Sequence, residues 1–446
     1  MSIRLILSLL TATFVGLLGA AVCAAKDVVA FVNVTVLPMD RDVALSRHTV
    51  IVTGDRITAM GPTAETAVPE GARKIDGSGK FLIPGLGEMH GHNPPVGSSQ
   101  AYIENTYFLF LANGVTTVRG MLGWPGQLEL RDKVNAGSLL GPTLYLAGPA
   151  FSGAAVRSPA QAEERVRQQK AEGWDLLKVH PGLKPADYDA MAKTADAVGI
   201  RFAGHIPADV GLLHAIEKGQ ETVDHLDGYI QYLQAEKAPI DPAKLQGIVK
   251  RTRETDTWVV PTMVLWETII GAASLESMSR YPELRYMPKA EVDRWISSYQ
   301  KRTGAASFDH EKARQTAANR KILLKALNEG GARIIFGTDS PQQFSVPGFS
   351  IHREIKAMAE CGMSNFQILQ SATKNVGEYL KARDTFGLVA VGHRADLVLL
   401  KANPVADLAH LTQKTGVMVR GRWIPESEIT AGLARIASES KRNGAE

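Results

Sequence analysis

Cysteine is almost absent from this chain, which has only two, Cys23 and Cys361. Cys23 lies in an apolar N-terminal segment that we expect to be removed from the mature protein. Cys361 would then remain alone, so that no internal disulfide could form. The protein must therefore be stabilised by its hydrophobic core and by any metals that it binds.

A concentrated basic surface is also lacking, although 50 Lys and Arg residues stand against 46 Asp and Glu. The two signs are interspersed along the chain, whereas nucleic-acid-binding proteins usually carry a basic cluster. We therefore expect no nucleic-acid partner. Signs of disorder are confined to residues 438–446, and the 45% hydrophobic and 22% charged content is that of an ordinary globular α/β protein. A homo-oligomer is compatible with this composition.

The one long apolar run lies at the N-terminus, over residues 5–22. Arg4 precedes it and small residues end it, as in a secretory signal peptide. A retained membrane anchor is an alternative, because the run is nearly long enough to span a bilayer. A lipoprotein attached through Cys23 is a third interpretation, but Val22 is bulky for the position before a lipidated cysteine. We expect a signal peptide over residues 1–24 and an exported protein, periplasmic or secreted, with no stable membrane span after cleavage.

The two ends of the chain resemble each other in pattern and differ from the middle. Short apolar runs bounded by turn residues, such as 28–32 and 49–52, occur near the N-terminus. Similar runs at 395–400 and 417–421 occur near the C-terminus. The pattern predicts one small β-sandwich domain formed by both chain ends.

The middle of the chain alternates apolar runs with helical patterns, which favours a parallel sheet covered by helices. The runs number eight, at 83–90, 114–119, 143–147, 175–179, 201–206, 222–226, 258–263 and 332–339. Eight βα units over about 300 residues suit a closed (β/α)8 TIM barrel. An open doubly wound sheet is the alternative, but its Gly-x-Gly-x-x-Gly turn is missing.

An α/β fold follows, with a TIM barrel and a small β-sandwich. Its expected parts are the signal peptide 1–24, the β-sandwich 25–83 and 385–435, the metallohydrolase barrel 84–384, and a tail 436–446. One βα connection, between residues 263 and 332, is unusually long and polar. Such insertions lie at the C-terminal face of a barrel, where this one could be a lid or a structural filler.

Four histidines and an aspartate fall at the predicted strand ends. His90 and His92 are two residues apart at the end of the first strand, so both side chains project to the same face and can reach one metal ion. His205, His225 and Asp339 end the fifth, sixth and eighth strands. The C-terminal ends of barrel strands meet at one mouth, and zinc prefers such ligands. The sequence therefore predicts a metal site at this mouth.

Lys178 lies among apolar residues on the predicted fourth strand, where desolvating its charge is costly. A buried ion pair would explain it, and so would a side chain that extends to solvent. A third explanation is a neutral amine that carries carbon dioxide as a carbamate. That group would be an anionic ligand for two metals.

Taken in this order, the six residues and their surroundings resemble the amidohydrolase superfamily over about residues 27–433. The segment 84–92, Pro-Gly-Leu-Gly-Glu-Met-His-Gly-His, is similar to the signature of its first strand. Residues 114–119 and 337–339 resemble its second- and eighth-strand motifs, and 391–398 resembles its return to the β-sandwich. The nearest group looks like the imidazolonepropionase-like amidohydrolases, which include metal-dependent Xaa-Pro dipeptidases.

The resemblance implies two zinc ions per chain, bridged by the carboxylated strand-four lysine, Lys178. The more buried ion would be held by His90, His92 and Asp339, and the other by the two later histidines. It further implies that metal-activated hydroxide cleaves an amide or peptide bond in a small-molecule substrate. Asp339 would accept the proton and pass it to the leaving amine.

Two positions depart from the family pattern. Glu88 stands where the superfamily usually has aspartate, and Gly120 stands where relatives often carry aspartate. Neither position is a metal ligand, so the expected metal site is retained. The groups that orient the ligands, or the choice of substrate, can differ.

Two neighbours of the expected ligands are candidate substrate contacts. His180 lies two residues past Lys178 on the same strand face, and Tyr229 lies four residues past His225. Either could donate a hydrogen bond to a developing oxyanion or to a substrate carboxylate. For Tyr229, packing of its ring in the loop is an equally good interpretation.

Three functions remain open from the sequence. The first is cleavage of a dipeptide or an N-acyl amino acid. The second is hydrolysis of a non-peptide or cyclic amide, such as a toxin amide or an imidazolonepropionase-like substrate. The third is a non-catalytic barrel scaffold, which is disfavoured because all six ligand positions are filled.

Overall fold

The computed structural model describes residues 27–95 and 97–442, and the predicted signal peptide, residues 1–24, lies outside the described residues. The strands are β1 (Val28–Val36), β2 (Leu45–Thr53), β3 (Arg56–Pro62), β4 (Arg73–Asp76), β5 (Phe81–Pro84), β6 (Leu86–Gly91), β7 (Val115–Gly120), β8 (Thr143–Leu146), β9 (Leu176–Val179), β10 (Arg201–Gly204), β11 (Thr222–Asp224), β12 (Trp258–Val260), β13 (Arg333–Ile334), β14 (Leu397–Leu400), β15 (Lys414–Val419) and β16 (Arg422–Pro425). The α-helices are α1 (Gln100–Ala112), α2 (Gln127–Asn135), α3 (Pro159–Glu172), α4 (Pro185–Val198), α5 (Leu212–Glu217), α6 (Tyr229–Tyr232), α7 (Pro242–Arg253), α8 (Met263–Ile269), α9 (Leu275–Met278), α10 (Lys289–Thr303), α11 (His310–Glu329), α12 (Ser350–Glu360), α13 (Asn365–Ala372), α14 (Lys374–Tyr379) and α15 (Glu426–Arg442). Short 3-10 helices occur at Pro282–Tyr286 and Leu408–Thr412.

Strands from both chain ends share one eight-stranded sheet. Its order is β16-β15-β14-β5-β1-β2-β3, with β4 beside β1. The N-terminal and C-terminal parts join where β5 and β14 pair antiparallel, with Leu82 opposite Leu399. Apolar side chains of both parts, Phe31 and Trp423 among them, bury one another in a separate core. The predicted β domain formed by both chain ends is confirmed.

The tail predicted for residues 436–446 is wrong for its first part, because α15 continues to residue 442. Ile429, Leu433 and Ile436 recur at helical spacing and pack into the main core, with Ile436 fully buried. Such a spacing places apolar side chains on one face of a helix. That burial holds the helix beyond the position where the polar sequence suggested an end.

The barrel consists of a three-stranded parallel sheet, β6–β8, and a five-stranded parallel sheet, β9–β13. Backbone hydrogen bonds join the two sheets on both sides. Asp175 N donates to Leu146 O (3.0 Å) between β8 and β9, and Met89 N donates to Phe336 O (2.9 Å) between β6 and the segment after β13. The eight strands therefore form a ring, and the predicted (β/α)8 barrel is confirmed.

The first predicted barrel strand, residues 83–90, crosses a boundary between two sheets. β5 ends at Pro84 and β6 begins at Leu86. Gly85 lies between them against Thr116, where an added Cβ would lie 2.1 Å from the Thr116 hydroxyl. The chain can therefore pass from the terminal sheet to the barrel only because residue 85 has no side chain.

Local signals start and stop the helices that cover the barrel. For example, α3 begins after Ser158, whose side chain accepts a hydrogen bond from Gln161 N, and has Pro159 at its first position. It ends at Gly173, which has a left-handed φ of 91°. Serine caps, N-terminal proline and C-terminal glycine are the usual helix boundaries, so the sequence determines this element locally.

The long insertion between residues 263 and 332 folds as helices α8 to α11 and one 3-10 helix. It is fastened to α12 by two buried carboxylates. Glu354 accepts hydrogen bonds from Met263 N (2.7 Å) and Val264 N (3.0 Å), and Glu283 pairs with Arg353 at 2.7 Å. The insertion is thus part of the packed domain. Among the described residues, no helix has both the length and the apolar character needed to cross a bilayer.

Candidate metal centre

The six predicted ligands lie at the C-terminal ends of barrel strands. His90 is on β6 and Lys178 is on β9, and three residues directly follow strands: His92, His205 and His225. Asp339 lies five residues beyond the end of β13. The ligand atoms of His90, His225 and Asp339 all lie within 4.8 Å of one another, and the three residues are buried. The structure therefore gathers the strand-end residues in one place, although 249 positions separate the first from the last.

Short contacts connect the six side chains. His92 Nε2 lies 2.6 Å from Asp339 Oδ1, and His90 Nε2 lies 3.2 Å from Lys178 Nζ. The ring centroids of His90 and His225 are 4.3 Å apart, and those of His225 and His205 are 4.6 Å apart. Four imidazoles, one carboxylate and one amine thus share a small volume at the barrel mouth.

Three of the histidines are oriented by neighbours that the sequence analysis did not single out. Asp227 Oδ2 lies 2.6 Å from His205 Nδ1, and Thr262 Oγ1 lies 2.7 Å from His225 Nδ1. Asp224 Oδ2 lies 2.7 Å from His90 Nδ1, which is an ion-pair distance without hydrogen-bond geometry. An acceptor at Nδ1 leaves the Nε2 lone pair free to face a metal ion.

A sequence signal for Asp224 did exist. It lies between Val223 and His225 on a short buried strand, so its charge needs a partner for the same reason as that of Lys178. The partner is Arg119 of β7, and both side chains are 0% exposed with a closest contact of 3.3 Å. Only the closed barrel shows that this ion pair also supports His90.

Burial controls the protonation of the site. It lowers the pKa values of His90 and His225 well below the usual histidine range, so both rings are neutral ligands near pH 7. It also lowers the pKa of Lys178 to about 8, although the nearby carboxylates of Asp224 and Asp339 oppose this shift. Metals bind neutral imidazole and deprotonated groups, so these shifts favour metal binding.

Glu88 occupies the first of the two positions that depart from the family pattern, and it connects the first strand to the loop that carries Asp339. Its carboxylate accepts hydrogen bonds from Thr338 N (2.7 Å), Thr338 Oγ1 (2.5 Å) and His90 N (3.2 Å). Burial raises the pKa of Glu88 to about 8, an effect that these hydrogen bonds partly offset. A glutamate at this position can therefore fix the backbone both at His90 and next to Asp339.

Strained backbone accompanies the ligands. His225, Thr262 and Asp339 have positive φ values of 64°, 41° and 62°. Side chains other than glycine rarely adopt this left-handed region, and such strain concentrates at functional sites. This conformation turns the side chains of His225 and Asp339 toward the barrel mouth. In an extended strand, successive side chains would point to opposite faces instead.

The two predicted substrate contacts lie in different surroundings. His180 is partly exposed beside the metal centre, with its ring centroid 4.9 Å from that of His205. Tyr229 is fully buried, and its hydroxyl bonds to Thr252 of α7 at 2.8 Å. The predicted substrate role of Tyr229 is wrong, because the chain turns through left-handed residues after β11 and directs this ring into the core.

The donor set fits a metal site. Neutral imidazoles and a carboxylate are the ligands that zinc prefers. His205 and His225 have a hydrogen-bonded oxygen at the second ring nitrogen, and His90 has the Asp224 carboxylate 2.7 Å from it. Lys178 points at the same centre with its amine against His90. The six residues could therefore hold one metal ion, or two if the lysine carries an anionic group.

Two large cavities lie at opposite ends of the barrel. One, of about 660 Å³, borders the metal centre and is lined by Asp227 and Trp266. The other, of about 670 Å³, lies around Arg201, Trp258 and Arg333, which begin β10, β12 and β13. Active sites of such barrels lie at the C-terminal ends of the strands, so the first cavity is the candidate substrate cavity.

Comparison with known proteins agrees with this architecture. The model of the amidohydrolase family matches residues 81–424. A curated relative is adenine deaminase 3 of Rhizobium meliloti (strain 1021), 22% identical over 397 residues, which are 85% of this chain and 55% of the relative. The chain thus spans about half the length of the curated relatives that it matches.

Solved structures share the fold. A Xaa-Pro dipeptidase with bound methionine in its active site has a TM-score of 0.67 at 20% identity, covering 90% of this chain and 100% of that one. The bottromycin amidohydrolase has a TM-score of 0.72 at 22% identity, covering 93% and 90%. At these identities the likeness establishes the fold alone.

Proposed function

Because the chain belongs to the amidohydrolase family, whose members hydrolyse carbon–nitrogen bonds, we propose that it is a zinc enzyme that cleaves the amide bond of a dipeptide or an N-acyl amino acid. One observation carries the proposal: four histidines, Lys178 and Asp339 converge at the C-terminal mouth of the barrel. The site is buried, its imidazoles are held by oxygen acceptors, and a cavity of small-molecule size adjoins it.

The ligand set is proposed to hold two zinc ions. His90, His92 and Asp339 would hold the more buried ion, and His205 and His225 the other. The strand-four lysine would bridge them as a carbamate, which forms when its neutral amine adds carbon dioxide and releases a proton. Zinc held there supplies Lewis acidity, which acidifies water and polarises a carbonyl group.

Asp339 is proposed to move the proton in this reaction. One of its oxygens accepts a proton from the attacking water, whose oxygen joins the substrate carbonyl carbon. The same carboxyl then donates that proton to the leaving nitrogen as the carbon–nitrogen bond breaks. Gln342 Nε2 donates a hydrogen bond to Asp339 Oδ1 at 2.5 Å and thereby limits rotation of the carboxylate. His180, beside His205, remains a candidate donor to the substrate carbonyl oxygen.

A second candidate function is hydrolysis of a cyclic or non-peptide amide. The relative named bottromycin amidohydrolase supports it, because that name denotes hydrolysis of an amide and not of a dipeptide. The dipeptidase with bound methionine supports the first candidate. A screen of the purified enzyme against dipeptides, N-acyl amino acids and cyclic amides separates the two.

We also propose that the enzyme is exported. The proposal rests on the apolar run over residues 5–22 and the small residues after it, all outside the described part of the chain.

Metal analysis of Lys178 variants tests the proposed site. Wild-type protein should hold about two zinc ions, whereas Lys178→Ala should lose at least one. Added acetate or propionate should restore part of the zinc content and turnover of this variant, because it supplies a carboxylate. Lys193→Ala is a matched control, because Lys193 is an exposed lysine on α4. A crystal structure in which the unmodified Lys178 amine points away from bound zinc would refute the bridging role. Purified protein with neither zinc nor amidase activity would indicate a non-catalytic scaffold.

A further inference from the structure

The candidate substrate cavity of about 660 Å³ lies between the barrel mouth and the insertion. Two residues of its inner wall contact candidate ligands of the metal centre. Asp227, which contacts His205, lines the cavity, and so does Trp266, whose ring centroid lies 5.3 Å from that of His225. A substrate bound at the metal centre would therefore extend into this cavity.

Much of the cavity wall is apolar and aromatic. The side chains that form this wall are Leu226, Ile230, Trp266, Ile270 and Phe308. Trp266, Ile270 and Phe308 come from the insertion and its borders, and they are neither fully buried nor fully exposed. Burying apolar surface against rings of this kind is favourable, so the wall suits a large apolar group.

The carboxylates that line the cavity are already paired. Glu236 lies 2.6 Å from Lys312, and Asp309 lies 2.6 Å from Lys237. Asp227 is held by His205 at 2.6 Å. These acids therefore do not neutralise the remaining cations of the cavity.

Arg302 is one such cation. It donates to Thr268 O at 2.8 Å and to Gln343 Oε1 at 3.4 Å, both of them neutral acceptors, and its Nε is buried without a hydrogen-bond partner. Within residues 27–95 and 97–442 no carboxylate lies at ion-pair distance from it. Burial lowers the pKa of Arg302, but a guanidinium stays charged in a protein. The group thus lacks the anion that would balance it.

Arg320 is a second cation without a carboxylate at ion-pair distance in the described chain, but its position is different. It is buried, and its guanidinium donates to the carbonyl oxygens of His225 and Pro261. Those bonds hold the backbone of the metal centre. Arg302 is partly exposed, so it is the guanidinium that a ligand can reach.

Arg302 is also connected to Asp339, the proposed proton donor for the leaving nitrogen. Gln342 donates to Asp339, and the next residue, Gln343, accepts from Arg302. This chain of contacts connects the guanidinium to Asp339 through two adjacent residues. A cation without a carboxylate partner in the described chain is therefore linked to the residue proposed to protonate the leaving group.

We propose that Arg302 binds the carboxylate of the amino acid that leaves, and that the apolar wall selects a large apolar or aromatic side chain on it. Arg302 is thus the specificity residue of this site. The inference rests on the proposed amide hydrolysis, which it narrows to substrates of the type acyl–Phe or acyl–Leu with a free carboxylate. A planar guanidinium suits a carboxylate through two parallel hydrogen bonds.

Binding of a reaction product tests the inference without turnover. Titration calorimetry of the zinc-loaded enzyme should show that L-phenylalanine binds more tightly than L-phenylalaninamide, which lacks the carboxylate. Arg302→Gln should weaken phenylalanine binding by about 10- to 100-fold, which is the range for a hydrogen bond to a charged group. The same substitution should not weaken binding of phenylalaninamide. Arg302→Lys, which keeps the charge, should restore part of the loss, and Lys301→Gln removes an exposed neighbouring charge as control.

Turnover provides the second readout. The kcat/KM for acetate release from N-acetyl-L-phenylalanine should exceed that for its C-terminal amide, and Arg302→Gln should remove this difference mainly through KM. Equal rates for acid and amide in the wild type would refute the inference and leave amide hydrolysis standing. A preference that survives in Arg302→Gln would assign the carboxylate to another residue. If no amide is cleaved, the proposed function fails, and the phenylalanine titration still decides whether Arg302 binds a carboxylate.

Discussion

Replacing Asp224 with asparagine should destabilise the fold and weaken metal binding together. The carboxylate lies 2.7 Å from His90 Nδ1, accepts from the Thr222 hydroxyl at 2.6 Å and pairs with Arg119 at 3.3 Å. Burial alone would raise the pKa of Asp224, but the charges of Arg119 and Lys178 hold it below its usual range. It is therefore an anion in the folded protein, and its loss leaves a guanidinium without charge compensation.

The magnitude follows from the burial of the pair. Both side chains are 0% exposed, and removing one partner of a buried ion pair costs about 3–5 kcal/mol. The remaining partners of Arg119 are neutral: Met89 O, Thr222 Oγ1 and the Tyr379 hydroxyl. Loss of an acceptor behind a metal-binding histidine typically weakens metal affinity by about 10- to 100-fold. Asp224→Asn should show both effects.

The assay measures the two effects separately. Urea unfolding of metal-free protein reports the free energy of unfolding without a contribution from bound zinc, and competition with a chelator reports zinc affinity. Asp227→Asn is the matched control, because Asp227 also lies against the Nδ1 of a candidate ligand, His205, but is 16% exposed and pairs with no arginine within the described residues. It should lose zinc affinity and less than about 1 kcal/mol of stability. Equal stability of Asp224→Asn and wild type would refute the argument that Arg119 depends on this carboxylate.

Three further outcomes are expected. Asp339→Asn should lower kcat by about 10²–10⁴-fold, and near-normal turnover with full metal content would show that another group moves the proton. Tyr229→Phe should lower the free energy of unfolding by about 1 kcal/mol and leave KM within about twofold, because the Tyr229 hydroxyl bonds to Thr252 in the core. A large rise in KM would restore the substrate role. Intact-mass measurement on the exported protein should give an N-terminus near Ala25, whereas a soluble product retaining Met1 would exclude signal cleavage.

The six candidate ligands could be found from the sequence because they depend on local pattern and on one rule of topology. Strand alternation puts His90 and His92 on one face, and parallel strands of a barrel end at the same mouth. Lys178 stood out because a charge on a buried strand needs a reason. The barrel and the β domain formed by both ends follow from periodicity in the same way.

Other features depend on contacts between distant segments, which periodicity does not specify. Asp224 becomes a support of the metal centre only when β7 brings Arg119 to it across the barrel interior. Tyr229 was misplaced because four residues beyond a strand end the direction of a side chain is set by left-handed turn residues. Arg302 lies on the insertion, and its partners Thr268 and Gln343 are 34 and 41 positions away.

There is a physical reason why some features follow from the sequence and others only from the tertiary structure. Side-chain direction along a strand or helix is fixed by backbone geometry over a few residues, so the sequence by itself determined which residues face the barrel mouth. Charge compensation, cavity shape and the orientation of an imidazole are set by groups that meet only when the chain closes on itself. The tertiary structure alone therefore decided that Asp224 lies against His90 and that Tyr229 belongs to the core. It also decided that Arg302 lines the candidate substrate cavity with no carboxylate of the described residues to neutralise it.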